Sequence, residues 1–474
     1  MSKGKYLAKN IGLLTLSQFG TKFLSFFLVP LYTNILSTSD YGIYDLLNSS
    51  IGILIPVLTL NIFDGVLRFT LGGETDERTI FSIGVKYLFL GNFAIWVILL
   101  INHLFNIIIL VDEYSIFFML IFFIQSVLGV MTAFVRGIDK IFDLSIASVI
   151  CSFIVIFCNV IFLCVFSWGL FGYFIANIIG PLVQIIYLFI RIKGWKYINY
   201  RICFGKVEHN ILCYSIPMIA NSIAWWVNGL SDRYIVTWFC GLGENGVYSV
   251  ASKIPSILNI FQTIFNQAWT LSAVKDFDPK DENGFFSIMY NSYGAIMAIT
   301  CSTLIAINRL LARLLYAKDF FYAWRYVPFL LIAILFGALS GYLGGIFTAV
   351  KNTKVYAQST VVGAIANIII NLLLVPAIGT LGAAVATAIS YWIIYLLRVF
   401  YTKRYINIKM HLIRDNISYL LLVIQSIIFL LVIQESTTLY FTEIFLIAIQ
   451  IYLFRKEIYS IACRGVKIII GLKE

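Results

Sequence analysis

Charged side chains are scarce in this sequence, and a few of them stand inside long apolar runs. Lys22 lies in a run that starts at Ile11, about 16 Å deep at ~1.5 Å of rise per helical residue. Lys86 and Lys253 occupy two further runs, Asp64 and Arg68 fall one helical turn apart, and Asp232 adjoins Arg233. A charge facing lipid costs at least ~3 kcal/mol, so such residues mark an ion, proton or substrate path by default. Each also has a plainer role. Lys22 would pair with a neighbour such as Ser17 or Gln18, and Lys253 would snorkel from the outer third of its run. Asp64 and Arg68 would form an i,i+4 pair at the inner interface, and Asp232 and Arg233 would cap or gate a helix at the outer surface. The eight cysteines contain no CxxC pair, and His103, His209 and His411 are far apart, which speaks against a metal centre or a disulfide framework. No P-loop occurs. No cofactor is expected, and turnover would draw on a gradient of H+ or Na+, or on the membrane potential.

The elements that hold these residues follow from composition. Of 474 residues, 61% are hydrophobic and 12% charged, with a mean hydropathy of +0.92. Soluble chains are about half apolar and a quarter charged, which excludes a soluble enzyme and a disordered protein. One bilayer crossing takes ~20 apolar residues. The apolar runs predict spans at 11–35, 42–66, 81–102, 115–135, 144–167, 170–190 and 210–231. Further spans are predicted at 245–271, 285–307, 326–348, 356–376, 380–399, 416–434 and 439–454. The first is too long for a signal-peptide core and reads as a retained helix.

Orientation follows from the basic residues. With the N-terminus inside, 26 of the 34 Lys and Arg fall on cytoplasmic segments and three within spans. Five fall outside: Arg233, Arg309, Arg313, Lys318 and Arg325. This bias places both termini in the cytoplasm. It also accounts for the net charge of +11 without any nucleic acid.

An internal repeat is visible. Gly42-Ile-Tyr44 recurs as Gly246-Val-Tyr248, an offset of 204. Gly169-Leu-Phe-Gly172-Tyr-Phe-Ile-Ala176 recurs as Gly379-Thr-Leu-Gly382-Ala-Ala-Val-Ala386, an offset of 210, and Asn159 precedes Asn371 by 212. Six spans separate the copies, so both enter the membrane from the same side, as in two-lobed parallel-repeat transporters. The domains expected are an N-terminal lobe at 1–208, a C-terminal lobe at 209–405, and two additional helices with a cytoplasmic tail at 406–474. Pro30, Pro56, Pro217 and Pro255 are expected to interrupt helices in both lobes, either as fixed kinks or as points of flexure.

Four segments carry a family likeness: Trp226–Val236 with Gly246–Pro255, Tyr322–Leu331, Asn371–Thr387, and Leu31–Tyr44. In that order and spacing they resemble the polysaccharide (O-antigen) flippase branch of the multidrug/oligosaccharidyl-lipid/polysaccharide (MOP) exporter superfamily. The resemblance implies a MATE-like all-α polytopic membrane protein of about fourteen helices in a bacterial cytoplasmic membrane. It implies passage of undecaprenyl-diphosphate-linked oligosaccharides from the inner to the outer leaflet, for O-antigen, capsule or exopolysaccharide. It also implies a setting of glycosyltransferases and a polysaccharide polymerase. Lipid II flippases of this superfamily line their cavity with cations from helices 1, 2 and 8, the spans that carry Lys22, Arg68 and Lys253.

Such a cargo dictates what the protein must offer. A diphosphate and a glycan cannot cross hydrocarbon without their water, whereas a polyprenyl tail can remain in lipid. Lys22, Arg68 and Lys253 are the expected cavity cations, and Asp64, Asp232 and Arg233 the expected gate or coupling groups. Trp225 and Trp226 are aromatic candidates for stacking on sugars. A lipid II flippase and a drug or cation antiporter of the same superfamily are the alternatives. A membrane glycosyltransferase or polymerase would need a large outer loop with acidic or histidine chemistry. The longest outer connector, 309–325, has one acid, Asp319.

Overall fold

The computed structural model describes residues 20, 26–73, 75–199, 205–275, 277–350, 352–432 and 437–461. Every regular element among them is helical. The first half comprises α1 (Phe26–Ile35), α2 (Thr38–Leu58), α3 (Ile62–Gly72), α4 (Glu77–Phe105), α5 (Ile109–Glu113), α6 (Ser115–Gly137), α7 (Ile141–Asn159), α8 (Gly169–Arg191) and α9 (Lys206–Leu230). The second comprises α10 (Asp232–Cys240), α11 (Leu242–Ala251), α12 (Lys253–Lys275), α13 (Phe285–Ala306), α14 (Asn308–Leu315), α15 (Val327–Ala349), α16 (Thr353–Ile378) and α17 (Thr380–Thr402). A C-terminal hairpin follows, α18 (Leu412–Leu431) and α19 (Thr437–Leu453), ending in α20 (Arg455–Ile461). Among the described residues ten helices are long and apolar enough to cross a membrane, and α19 with α20, bent by 70°, make an eleventh if taken as one span.

The count of fourteen is not reached among the described residues, for identifiable reasons. Most of the span expected at 11–35 lies outside them. The span expected at 210–231, α9, is not among the ten. The span expected at 42–66 keeps one place in the count through α2 but is two helices, because Leu60 and Asn61 turn left-handed at φ 51° and 50°. Asn61 N–H then reaches back to the carbonyl of Pro56 at 2.7 Å. The span at 245–271 is likewise divided, at Ser252, into α11 and α12. Asn259, Gln262, Thr263, Asn266 and Thr270 recur on α12 at helical spacing and lower its apolarity. Pro255, third in α12, sits in its first turn and interrupts nothing, whereas Pro30, Pro56 and Pro217 do lie within helices.

The helices pack as two compact units, one running to Leu230 and including Leu242–Gly246, the other formed by Ser231–Gly241 and the chain from Val247 onward. This packing puts α9 with the first unit, whereas the sequence division at 208/209 puts it with the second lobe. The reason is contact with α2 and α3. Trp226 Nε1–H donates to the Ser49 carbonyl at 2.8 Å, and Gly65 faces Ser215 and Ile211 closely enough to exclude a side chain. One apolar core of the unit gathers Ile62, Val66, Phe81, Val130 and Phe134, and a second gathers Leu47, Ile51, Phe122 and Phe174. At its edge α2 crosses α11 backbone to backbone. A Cβ on Gly42 would lie 2.0 Å from the Leu242 oxygen, and one on Gly246 would lie 1.9 Å from the Thr38 oxygen.

The second unit is built on a glycine seam. Gly337, Gly341 and Gly345 recur every fourth residue on α15 and face Gln262, Asn266 and Trp269 of α12. Trp269 Nε1–H donates to the Tyr342 carbonyl at 2.8 Å across this seam. The C-terminal hairpin docks on α13 through buried polar layers. Gln425 exchanges hydrogen bonds with Ser302 and donates to the Glu443 carboxylate at 2.6 Å. Ser418 and Gln450 pair reciprocally between α18 and α19. Arg309, expected in an outer loop, is instead buried. It lies over Trp324 and donates to the carbonyls of Phe429 and Val432 at the end of α18, where helical carbonyls lack partners.

The repeated residues occupy matching local positions. Gly169 and Gly379 are both left-handed, at φ 55° and 66°, where one helix ends and the next begins. Gly172 packs on Phe162 and Gly382 on Leu374 of the preceding helix. Asn159 and Asn371 each donate to the carbonyl four residues earlier, at 2.8 and 2.9 Å.

Candidate functional site

Charges inside the helices fall into two groups, those satisfied by a partner and those presented. Lys86 is satisfied: its Nζ lies 2.6 Å from Glu208 of α9, which also accepts from Tyr87 OH at 2.8 Å. Arg398, at the inner end of the span expected at 380–399 and counted among the 26 cytoplasmic basic residues, is buried in α17, stacked on Tyr356. It donates to Ser359 Oγ, the Ser340 carbonyl and Thr360 Oγ1 at 2.7–3.0 Å. Such contacts make a clasp between α15, α16 and α17, because the planar guanidinium serves several acceptors at once. Removing Arg309 and Arg398 from the loop tally leaves it as one-sided as before.

Arg68 is presented. It lies on the last turns of α3, exposed, and lines a pocket of about 280 Å³ with Phe69, Gly72, Thr75 and Tyr214. The i,i+4 pair expected with Asp64 is not formed. The Asp64 carboxylate accepts instead from Asn61 Nδ2 at 2.7 Å, because the left-handed Asn61 swings its amide over the first turn of α3. Lys253 opens α12 half-buried, and no ion pair among the described residues includes it. Lys22 lies outside the described residues. Of the two tryptophans, Trp226 is committed to α2, and Trp225 is exposed. Sequence reasoning missed Tyr214, whose neighbourhood to Arg68 arises only when α9 folds against α3.

The second unit holds a buried carboxylate. Asp232 is 4% exposed, so it does not lie at an outer surface. Its position follows from α10 packing on α16 and α17. Oδ2 accepts from Tyr248 OH and Thr387 Oγ1, and Oδ1 accepts from the Arg233 backbone N–H at 3.0 Å. Ser231 Oγ donates to Asn367 Oδ1 at 3.2 Å, and Asn371 donates to the same oxygen at 3.1 Å. A carboxylate held among hydroxyls and amide oxygens is suited to taking up a proton or a small hard cation, whose ligands are oxygens. Among the described residues no cluster of three or more His, Cys, Asp or Glu exists that would hold a transition metal. Tyr248 was visible only as a member of a repeated and family-like segment, and Thr387 only as the last residue of a family-like one.

Long apolar helices packed in two units define a polytopic helical membrane protein. The chain belongs to the polysaccharide biosynthesis protein family, whose model matches residues 7–271. It is similar to the probable low-salt glycan biosynthesis flippase Agl15 of Haloferax volcanii, 24% identical over 218 residues. That match covers 43% of this chain and 44% of the relative, so the chain spans less than half the length of this curated relative. The fold is similar to that of a lipid II flippase, MurJ, in an inward closed conformation. The TM-score is 0.71 at 15% identity, covering 95% of this chain and 99% of the other. It is also similar to an inward-facing multidrug MATE transporter of the MOP superfamily, with a TM-score of 0.66 at 14% identity over 82% and 94% of the two chains. The fold is thus shared with a lipid II flippase and with a MATE transporter of the MOP superfamily.

Proposed function

We propose that this protein carries an undecaprenyl-diphosphate-linked oligosaccharide from the inner to the outer leaflet of a bacterial cytoplasmic membrane by alternating access. The presented Arg68, a cation without a carboxylate partner among the described residues, in a family of polysaccharide biosynthesis proteins, is the observation that carries this reading. Arg68, Lys253 and Lys22 supply positive charge to the diphosphate while the prenyl tail stays in lipid. Asp232 is the coupling group, cycling a proton or a sodium ion, and Arg233 holds its place. Asp64 positions the turn that aims α3. Glycosyltransferases supply the substrate and a polymerase consumes it. The likeness to a lipid II flippase favours a second cargo of the same chemistry, the peptidoglycan precursor.

Lys22 provides the test. Lys22→Arg keeps the charge and is expected to retain much of the export. Lys22→Ala removes a group costly in lipid, so it is expected to insert normally yet lose surface glycan and accumulate lipid-linked precursor inside. Surface glycan, precursor pool and membrane protein level are measured together. Normal export by the alanine variant would overturn the cationic role, and accumulation of lipid II in place of a lipid-linked oligosaccharide would favour the second cargo. Both termini are placed in the cytoplasm. A reporter joined after Lys206 or Lys409 is expected to read as cytoplasmic, and one after Thr437 as external; the reverse pattern would refute this orientation.

A further inference from the structure

We propose that the pocket at Arg68 binds the sugar that bears the diphosphate, with Tyr214 as the platform under its ring and Arg68 holding the adjoining phosphate. This rests on the flippase reading above and adds a specificity residue to it. The pocket combines three chemistries that a glycosyl phosphate needs together. Arg68 offers a planar set of donors matched to phosphate oxygens. Tyr214 of α9 is 39% exposed at the pocket wall and stands edge-to-face with Phe69, ring centroids 6.4 Å apart at 76°. An aromatic ring buttressed in this way presents a fixed apolar face, and the C–H face of a pyranose is its complement. Thr75, in the loop after α3, adds a hydroxyl for a sugar oxygen.

Two details keep the site open to an anion. Asp64, the acid one turn away, is turned toward Asn61 and does not neutralise Arg68. Position 72 is glycine, and a Cβ there would come within 3.7 Å of the Arg68 guanidinium, so its absence leaves that side of the cation clear. At about 280 Å³ the pocket lies just under the ~300 Å³ lower end of small-molecule sites. It has room for one sugar ring. The sugar next to the diphosphate is the one within reach of both Tyr214 and Arg68.

The full-length protein in nanodiscs free of anionic lipid is titrated with three probes. These are a short-prenyl diphosphate bearing one pyranose (glucose, galactose or N-acetylglucosamine), the same diphosphate without sugar, and phosphatidylglycerol. At least one glycosylated probe is expected to bind about tenfold tighter than the bare diphosphate. Tyr214→Ala should remove that margin and leave bare-diphosphate binding within about twofold, Tyr214→Phe should keep it, and Arg68→Gln should weaken both diphosphates. A margin that survives Tyr214→Ala, or an equal loss for both diphosphates, overturns the assignment. So does displacement of the glycosylated probe by phosphatidylglycerol at similar concentration, which would mark a lipid-headgroup site. Wild-type protein that binds neither diphosphate would refute the flippase reading itself, whereas binding of both without discrimination refutes only the sugar platform.

Discussion

Asp232→Asn is expected to leave the protein in the membrane near wild-type level while surface glycan falls by an order of magnitude or more. The substitution keeps the volume of the side chain and removes its charge and its capacity to exchange a proton. It also places an NH2 among donors, and one buried donor left without an acceptor costs about 1–3 kcal/mol. That structural cost is separable from transport. Tyr248 OH donates to the carboxylate, so Tyr248→Phe deletes the donor that asparagine would strand. The double variant Asp232→Asn/Tyr248→Phe should regain thermal stability relative to Asp232→Asn alone. If Asp232 carries the coupling ion, export stays lost in the double variant, and its dependence on external pH or sodium disappears. Recovery of export together with stability would make Asp232 a structural residue only.

The sequence made the glycines legible as repeated positions, Gly42 with Gly246, Gly169 with Gly379 and Gly172 with Gly382, but not the backbone contacts and turns they permit. The broken spans were not legible. Nothing in Thr59-Leu-Asn61 punctuates the apolar run, and a left-handed Leu60 is imposed by the packing of the helices it joins. The candidate site residues divided the same way. Arg68 and Lys253 could be singled out as charges in apolar surroundings. The depth of Asp232 depends on α10 folding back over α16 and α17, which no local pattern announces. Arg309 and Arg398 were misplaced for a related reason. A guanidinium near a helix end looks exposed until the carbonyls and hydroxyls it will serve are in place.

Gly42→Ala and Gly246→Ala are expected to be among the most damaging single-methyl additions in the chain. The atoms a new Cβ would meet are backbone, the Leu242 and Thr38 oxygens at 2.0 and 1.9 Å, and cannot rotate away as a side chain would. Relief requires α2 and α11 to part, and overpacking of this kind costs about 1–3 kcal/mol, occasionally more. Purified variants should melt several degrees lower, and leucine at either position should abolish accumulation. The same reasoning ranks the other pair. Leucine at Gly382 meets the Leu374 carbonyl at 2.5 Å, whereas at Gly172 it meets the Phe162 side chain at 2.9 Å. Gly382→Leu should therefore be the more severe. Wild-type melting of both alanine variants would show that the crossing has slack.

The two related hairpins differ in length between their asparagine and their turn glycine, ten residues from Asn159 to Gly169 but eight from Asn371 to Gly379. The longer one passes through the π-helical turn Val160–Val165, where Phe166 N–H reaches the Ile161 carbonyl five residues back. A widened turn is how a helix swallows extra residues without rotating everything beyond them. The mismatch is thus confined to the hairpin tip, and Gly172 still meets Phe162 as Gly382 meets Leu374. Two copies of a repeat can therefore differ in length at this point while their interlocking glycines stay in phase. One constant offset between the copies would misalign the very residues that correspond.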